Sequence, residues 1–260
     1  MILFNSVYNN KRVLITGHTG FKGSWLSVWL NSLGAKVYGL ALDPNCYPSM
    51  YSECDFRSHL AGDYRADITC KGDVLKIINE VQPEFVFHLA AQALVKKSYS
   101  DPVRTMEINS IGTANVLHAV GCMATPVTVV LITSDKCYEN VEFLWGYKET
   151  DRLGGSDPYS ASKAMAEIAI NCFVKSYLPD QKHLRLGVGR AGNVIGGGDW
   201  SADRIIPDCV KAWSRGETVN IRSPKATRPW QHVLEPLSGY LHLGSVLFKS
   251  ESLNGEAFNY

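Results

Sequence analysis

Tyr159 and Lys163 stand four residues apart in "YSASK". On a helix that spacing puts both side chains on one face. A tyrosine works as a base near neutral pH only when its phenolate is stabilised. A lysine one turn away, with a positively charged ring nearby, supplies that field. Alone the spacing is common. Here the helix follows a strand ending in "TS", so Ser134 can share a substrate hydroxyl with Tyr159. The same strand end, "ITSDKCY", sets Asp135 beside Lys136. An isolated Asp-Lys pair reads as a solvated strand end. Next to Ser134 it reads as an acid and an amine at a reaction site.

A second chemical feature lies near the start. "TGHTGFKG" places Gly17, Gly20 and Gly23 directly after a β-branched run and at the opening of a helix. Glycines allow a tight turn and let backbone N–H groups approach a pyrophosphate, with the helix N-terminus aimed at the anion. A purely structural turn is the alternative. Asp43 follows Gly23 by 20 residues, at the end of the second predicted strand. An acid there binds the ribose 2′-hydroxyl of NAD and repels a 2′-phosphate. The strand can also stop at Ala41, which leaves the register open. No arginine follows at once, in keeping with NAD. Asp67 and Ile68 either frame an adenine or, for Asp67, cap a helix.

These residues need a scaffold. "KRVLITG", "AKVYGLALD", "GDYRADI", "PEFVFHLAA", "PVTVVLITS" and "LRLGVGRAG" read as strands. Between them, "FKGSWLSVWLNSLG", "CKGDVLKIINEV", "VRTMEINSIGTANVLHAVG" and "DPYSASKAMAEIAINCFVKSY" carry apolar residues at helical spacing. Gly34 reads as a C-terminal cap, and Asp157 with Pro158 as a helix start. Strand and helix alternate, which predicts an α/β, Rossmann-type doubly wound parallel sheet. Ligands of such sheets bind beyond the carboxyl ends of the strands. After about residue 190 the alternation loosens. The reading is a dinucleotide-binding domain over 1–190. Residues 191–260 then begin a smaller, C-terminally incomplete substrate lobe, interleaved with late elements of the sheet.

Composition narrows the partners. The net charge of +1 comes with no basic stripe or acidic tail, which argues against nucleic acid or a membrane surface. No apolar run approaches membrane-spanning length. "MILFNSVYNNKR" lacks the order of a signal peptide and reads as cover for a core edge. The seven cysteines are scattered, with no C-x-x-C. No zinc or redox motif results, and reduced thiols in a cytoplasmic protein are expected. No metal site is expected.

"GHTGFKG", "LAAQ", "TSDKCY", "YSASK" and "GRAGNVIGGGDW", in this order, resemble the extended short-chain dehydrogenase/reductase superfamily. Within it, "TGHTGFKGSWLSVWL", "FHLAAQALVKKSY", "TSDKCYEN" and "RPWQHVLEPLSGYL" are similar to segments of the CDP-glucose 4,6-dehydratases. The resemblance covers nearly the whole chain. It implies a family that continues beyond "GEAFNY", which reads as an interior strand. It implies tightly held NAD, regenerated in each turnover. Hydride leaves C4 of the glucosyl unit, water is lost across C5 and C6, and the hydride returns to C6. The product serves deoxysugar synthesis for bacterial surface polysaccharide such as O-antigen.

The resemblance also implies roles. Tyr159 takes the 4-hydroxyl proton, Lys163 lowers its pKa and holds the nicotinamide ribose, and Ser134 bonds O4. Asp135 protonates the departing 6-hydroxyl. Related dTDP-glucose dehydratases carry Asp-Glu where this chain carries Asp135-Lys136. Lys136 is then either the C5 base or a fixed cation beside the enolate. Cofactor contacts carry over at Gly17, Gly20, Phe21, Lys22, Gly23, Asp67, Ile68, Leu89, Ala90, Ala91 and Gln92. Asn109 bridges helix and strand, or is a surface residue. His88 reads as a core histidine. Asn193, Arg204 and Arg228 are candidate substrate contacts, the arginines because a guanidinium forks onto phosphate. Trp200 and Trp230 line the pocket or pack. Helices around 101–121 and 158–177 are expected to build a homodimer or larger homo-oligomer. Two rivals stand: a sibling epimerase or dehydratase, from which Asp135 discriminates, and a non-catalytic dinucleotide sensor on the same fold.

Overall fold

The computed structural model describes residues 3–221 and 223–260. Met1 and Ile2 of the amino-terminal segment, and Arg222, lie outside them. Seven strands form one wholly parallel sheet in the order β3-β2-β1-β4-β5-β6-β9. They are β1 Arg12–Thr16, β2 Lys36–Ala41, β3 Gly62–Arg65, β4 Phe85–His88, β5 Val127–Ile132, β6 Leu184–Arg190 and β9 Ala257–Asn259. β5, "VTVVLI", is buried at every position. That is what a central parallel strand covered on both faces requires.

Helices cover the two faces. α1 (Phe21–Ser32) follows the glycine loop, and Gly34 beyond it takes φ +79°. α2 (Met50–Glu53) is a single turn. α3 (Lys71–Val81), α4 (Val95–Ser100), α5 (Pro102–Met106) and α6 (Gly112–Gly121) come next, with a π-helical turn at Glu107–Ile111 between α5 and α6. α7 (Pro158–Ser176) starts where Asp157 accepts hydrogen bonds from the Tyr159 and Ser160 amides. α3, α6 and α7 pack a core of Leu14, Val86, Val129 and Leu186 on one face. α1 packs Ile15, Phe87 and Val130 on the other. There Val7 and Tyr8 are buried, and Tyr8 Oη donates to the Leu241 carbonyl at 2.5 Å. The amino-terminal segment does cover a core edge.

Beyond residue 190 a small layer forms. β7 (Asn193–Ile195) pairs in parallel with β8 (Trp230–His232), and α8 (Ile205–Trp213) lies between them in sequence. The chain then returns to the sheet. α9 (Leu234–Lys249) packs on β5 and β6, and β9 adds to the sheet edge beside β6. Residues 191–260 are therefore partly lobe and partly sheet.

β1 and β4 are neighbours although β1 leads to β2 on its other side. That reversal opens a crevice at the strands' carboxyl ends. The glycine loop sits in it under tight steric limits. Gly17 has φ +77°, and a Cβ there would lie 2.8 Å from the Ala90 backbone. Gly17→Ala combines left-handed strain with that clash. It is expected to cost about 1–3 kcal/mol, read as a lower thermal midpoint, and to weaken NAD binding measured by calorimetry.

Candidate active site

A cavity of about 1110 Å³ opens along the carboxyl edge. Typical ligand cavities span about 300–1,000 Å³, so this one has room for two sizeable molecules. At one end it is lined by Gly17, Gly20, Phe21, Lys22 and Gly23, with Asp43, Asp67 and Ile68. Leu89, Ala90, Ala91 and Gln92 form its middle. Ser134, Asp135, Lys136, Tyr159 and Lys163 meet at the centre, with Asn193, Arg204 and Arg228 on the lobe side. Of the candidate catalytic, cofactor-binding and substrate-binding residues, all but Asn109 belong to the lining.

The dinucleotide end fits its expected ligand. Gly20 caps α1 without a side-chain hydrogen bond, so the first-turn N–H groups are left for a ligand. A Cβ on Gly23 would fall 2.1 Å from the Gly17 carbonyl oxygen, so helix and loop pack as closely as glycine allows. Asp67 does not cap α3, whose cap position is Cys70. It accepts from Thr69 N at 2.9 Å and pairs with Arg104. The Thr69 hydrogen bonds and the guanidinium hold its carboxyl below the usual range, against its burial.

For Asp43, the second of the two registers holds. β2 ends at Ala41, and the Asp43 carboxylate accepts from Arg65 Nε at 2.9 Å. No arginine follows Asp43 in the chain, yet the next strand delivers one. Arg65 is itself forked onto Asp63 and lies 5.1 Å from the Tyr51 ring centre. His18 Nε2 contacts Asp63 Oδ1 at 2.8 Å. This network was not visible in the sequence, because it joins β1, β2 and β3 through their ends.

Asn109 is the bridge that the resemblance implied. It is buried rather than on the surface, inside the π-helical turn. Its Oδ1 accepts from Gln92 N at 2.8 Å, and its Nδ2 donates to Ser162 Oγ at 2.8 Å. It holds Gln92 in the lining and does not reach the cavity itself. His88 is a core residue: both ring nitrogens contact threonine hydroxyls, Thr16 and Thr113, and burial takes its pKa down to about 3.

At the centre, α7 projects Tyr159 and Lys163 inward, both buried. Ser134 Oγ donates to Asp135 Oδ1 at 2.9 Å. Lys136 Nζ lies 5.8 Å from the Tyr159 ring centre. Arg204 Nη1 donates to Asp199 Oδ2 at 2.9 Å. Lys22 Nζ approaches Tyr240 Oη at 3.4 Å.

Burial dominates the electrostatics at the centre. The Tyr159 pKa is pushed up to about 12, chiefly by burial, while a hydrogen bond with Ser134 acts the other way. Burial brings Lys163 down to about 8, opposed by Glu167. Lys22 falls to about 7 through burial and repulsion from Lys163 and Arg204, with Asp135 opposing. Lys22, Lys163 and Arg204 thus stand together near Asp135, with Asp199 paired to Arg204 and Glu167 acting on Lys163.

The sequence model of the NAD dependent epimerase/dehydratase family matches residues 13–255. The chain belongs to that family. Among its relatives is a CDP-glucose 4,6-dehydratase of Salmonella typhimurium, 46% identical over 97% of this chain and 71% of the relative. Of solved structures, the Thermus thermophilus UDP-glucose 4-epimerase complex with NAD superposes with a TM-score of 0.78 at 26% identity. That match covers 95% of this chain and 76% of the other. A dTDP-glucose 4,6-dehydratase of Streptomyces venezuelae, solved with NAD, shares the fold with a TM-score of 0.80 at 22% identity. It covers 95% and 74% of the two chains. The family's cofactor is NAD, and the cavity's glycine end suits it.

Proposed function

We propose that this protein converts CDP-glucose to CDP-4-dehydro-6-deoxyglucose. The observation that carries the reading is the meeting of Ser134, Asp135, Lys136, Tyr159 and Lys163 in one cavity. It is supported by 46% identity to a CDP-glucose 4,6-dehydratase. Bound NAD supplies a hydride acceptor that is returned to its starting state in each turnover. Gly17, Gly20, Phe21, Lys22 and Gly23 would hold its pyrophosphate. Asp43, Asp67 and Ile68 would hold its adenosine, and Lys163 its nicotinamide ribose.

Tyr159 takes the proton from the 4-hydroxyl as C4 is oxidised, and Ser134 holds O4. The 4-ketone acidifies C5. Lys136 removes the C5 proton, Asp135 protonates the 6-hydroxyl as water leaves, and Lys136 returns a proton to C5 as the hydride taken from C4 is delivered to C6. Asn193, Arg204 and Arg228 bind the diphosphate, Arg204 being held in place by Asp199. An epimerase needs no acid for a leaving 6-hydroxyl, and a sensor needs no Tyr159–Lys163 pair, so Asp135 and that pair favour dehydration over both.

No described helix is long and apolar enough to cross a membrane. All seven thiols are free, which supports a reducing compartment such as the cytoplasm. Val103 and Ile111 around α5–α6, and Met165 and Ile168 on α7, are exposed. They supply an apolar face for a homodimer.

The test is incubation with CDP-glucose, UDP-glucose and dTDP-glucose, following the 4-keto product by its absorbance in alkali. Product from CDP-glucose at the highest kcat/KM is expected. Product from another donor and none from CDP-glucose would overturn the assignment.

A further inference from the structure

Thr133 to Tyr138 is the stretch in which the chain leaves β5 and presents Ser134, Asp135 and Lys136 to the cavity. Both of its ends hang from one buried ion pair. Thr133 Oγ1 donates to Glu167 Oε1. Arg190 donates to the same carboxylate twice, from Nε at 2.9 Å and from Nη2 at 2.8 Å. Its Nη1 donates to Tyr138 Oη at 2.7 Å and to the Glu149 carbonyl at 2.9 Å. The guanidinium lies 5.1 Å from the Tyr138 ring centre. Tyr138 Oη in turn donates to Asn259 Oδ1 at 2.7 Å.

The two charged side chains are 4% and 6% exposed. Burying them costs desolvation that apolar residues of similar volume avoid, so stability alone is a poor account of the pair. Its placement gives a better one. Glu167 lies one turn beyond Lys163 on α7, and Arg190 is the last residue of β6. The pair therefore joins the helix of Tyr159 and Lys163 to both ends of the segment carrying the other three groups. Between those ends runs a single 3-10 turn, Asp135–Cys137, with Cys137 N donating to the Ser134 carbonyl at 3.1 Å and Gly154 N to the Cys137 carbonyl at 2.8 Å, and no side-chain tie to the ion pair. Asp135 N donates to the Ala191 carbonyl at 3.3 Å, and Lys136 N to Ser134 Oγ at 3.3 Å.

We propose that Glu167 and Arg190 are positioning residues that clamp Thr133 and Tyr138, and so set where Ser134, Asp135 and Lys136 stand against Tyr159 and Lys163. The proposal rests on the dehydration reading, in which one cluster must serve C4 and then C5 and C6 of a single bound sugar. A misplacement of about 1 Å is enough to cost roughly 100-fold in such chemistry.

Thr133→Val and Tyr138→Phe each cut one end and leave the ion pair whole. The substrate-free readout is amide hydrogen exchange at Asp135, Lys136 and Cys137. It should quicken by about 10-fold or more in both variants, with β1 and α3 unchanged, as for a local opening. With CDP-glucose, kcat should fall by roughly 10- to 100-fold with KM held within about twofold. Thr133→Ser, which keeps the hydroxyl, should restore both readouts. Unchanged exchange in both variants, or kcat within about twofold of wild type, would overturn the clamp. A wild-type protein inactive on CDP-glucose would instead overturn the dehydration reading, and the exchange measurement would still judge the clamp.

Discussion

Lys136→Met is expected to abolish exchange of the C5 proton with solvent while reduction of the cofactor by CDP-glucose persists. The two half-reactions use different parts of the cluster. In the proposed reaction, oxidation at C4 draws on Tyr159, Lys163 and Ser134, none of which this substitution removes. Elimination needs a group that accepts the C5 proton. Lys136 Nζ lies 5.8 Å from the Tyr159 ring centre, so a sugar with O4 at Tyr159 places its neighbouring carbon within the lysine's reach. Methionine keeps much of the length and loses the amine. The loss of a general base is worth about 10²- to 10⁴-fold in rate. Deuterium incorporation from heavy water measures the C5 step, and cofactor absorbance in a single turnover measures the C4 step. If C5 exchange survives in this variant, Lys136 is a fixed cation beside the enolate, and its amine is not the base.

The parts of this site that were legible in the sequence are those set by local periodicity. Tyr159 and Lys163 share a face because a helix repeats every 3.6 residues, and Asp157 with Pro158 marks that helix's first turn. The glycine loop is legible because three glycines between a β-branched run and an amphipathic helix have few other uses. The rest depends on contacts between distant segments. α9 lies where the alternation loosens, and it carries Pro236, Gly239 and Gly244, residue types that weaken a helical pattern. Pro236 falls in the first turn, where its missing N–H costs nothing. The two glycines make room for rings: a Cβ on Gly239 would lie 2.2 Å from Tyr260, and one on Gly244 2.6 Å from Tyr8 Oη. Asn109 bridges as the resemblance implied, but the π-helical turn that aims it at Gln92 and Ser162 is marked by no composition rule. Arg65 and Asp43 are 22 residues apart and meet only because β2 and β3 are neighbours. For the Glu167–Arg190 pair, the one available signal was a charged residue in each of two otherwise core-facing runs, Glu167 one turn past Lys163 and Arg190 in "LRLGVGRAG".

Tyr159→Phe should fail one step earlier than Lys136→Met. Without the phenol no group takes the 4-hydroxyl proton, and the C4 step should slow by about 10²- to 10⁴-fold. C5 exchange from CDP-glucose should vanish with it, because the C5 proton becomes acidic only after the ketone forms. Supplying the oxidised sugar, CDP-4-dehydroglucose, bypasses the defect, so C5 exchange from that compound should survive in Tyr159→Phe and be lost in Lys136→Met. The pH dependence of the wild-type C4 step follows from the same two groups. Burial pushes the Tyr159 hydroxyl up to about 12, so at neutral pH it is protonated and the ionised fraction grows as pH rises. Lys163, brought down to about 8 by burial, loses over that range the positive charge that favours the phenolate. The rate should climb with pH below about 8 and flatten above it. In single turnovers the variant should show no such climb. A wild-type rate rising without a break above that point would mean that the Lys163 charge does not support Tyr159, leaving Lys163 only its hold on the cofactor.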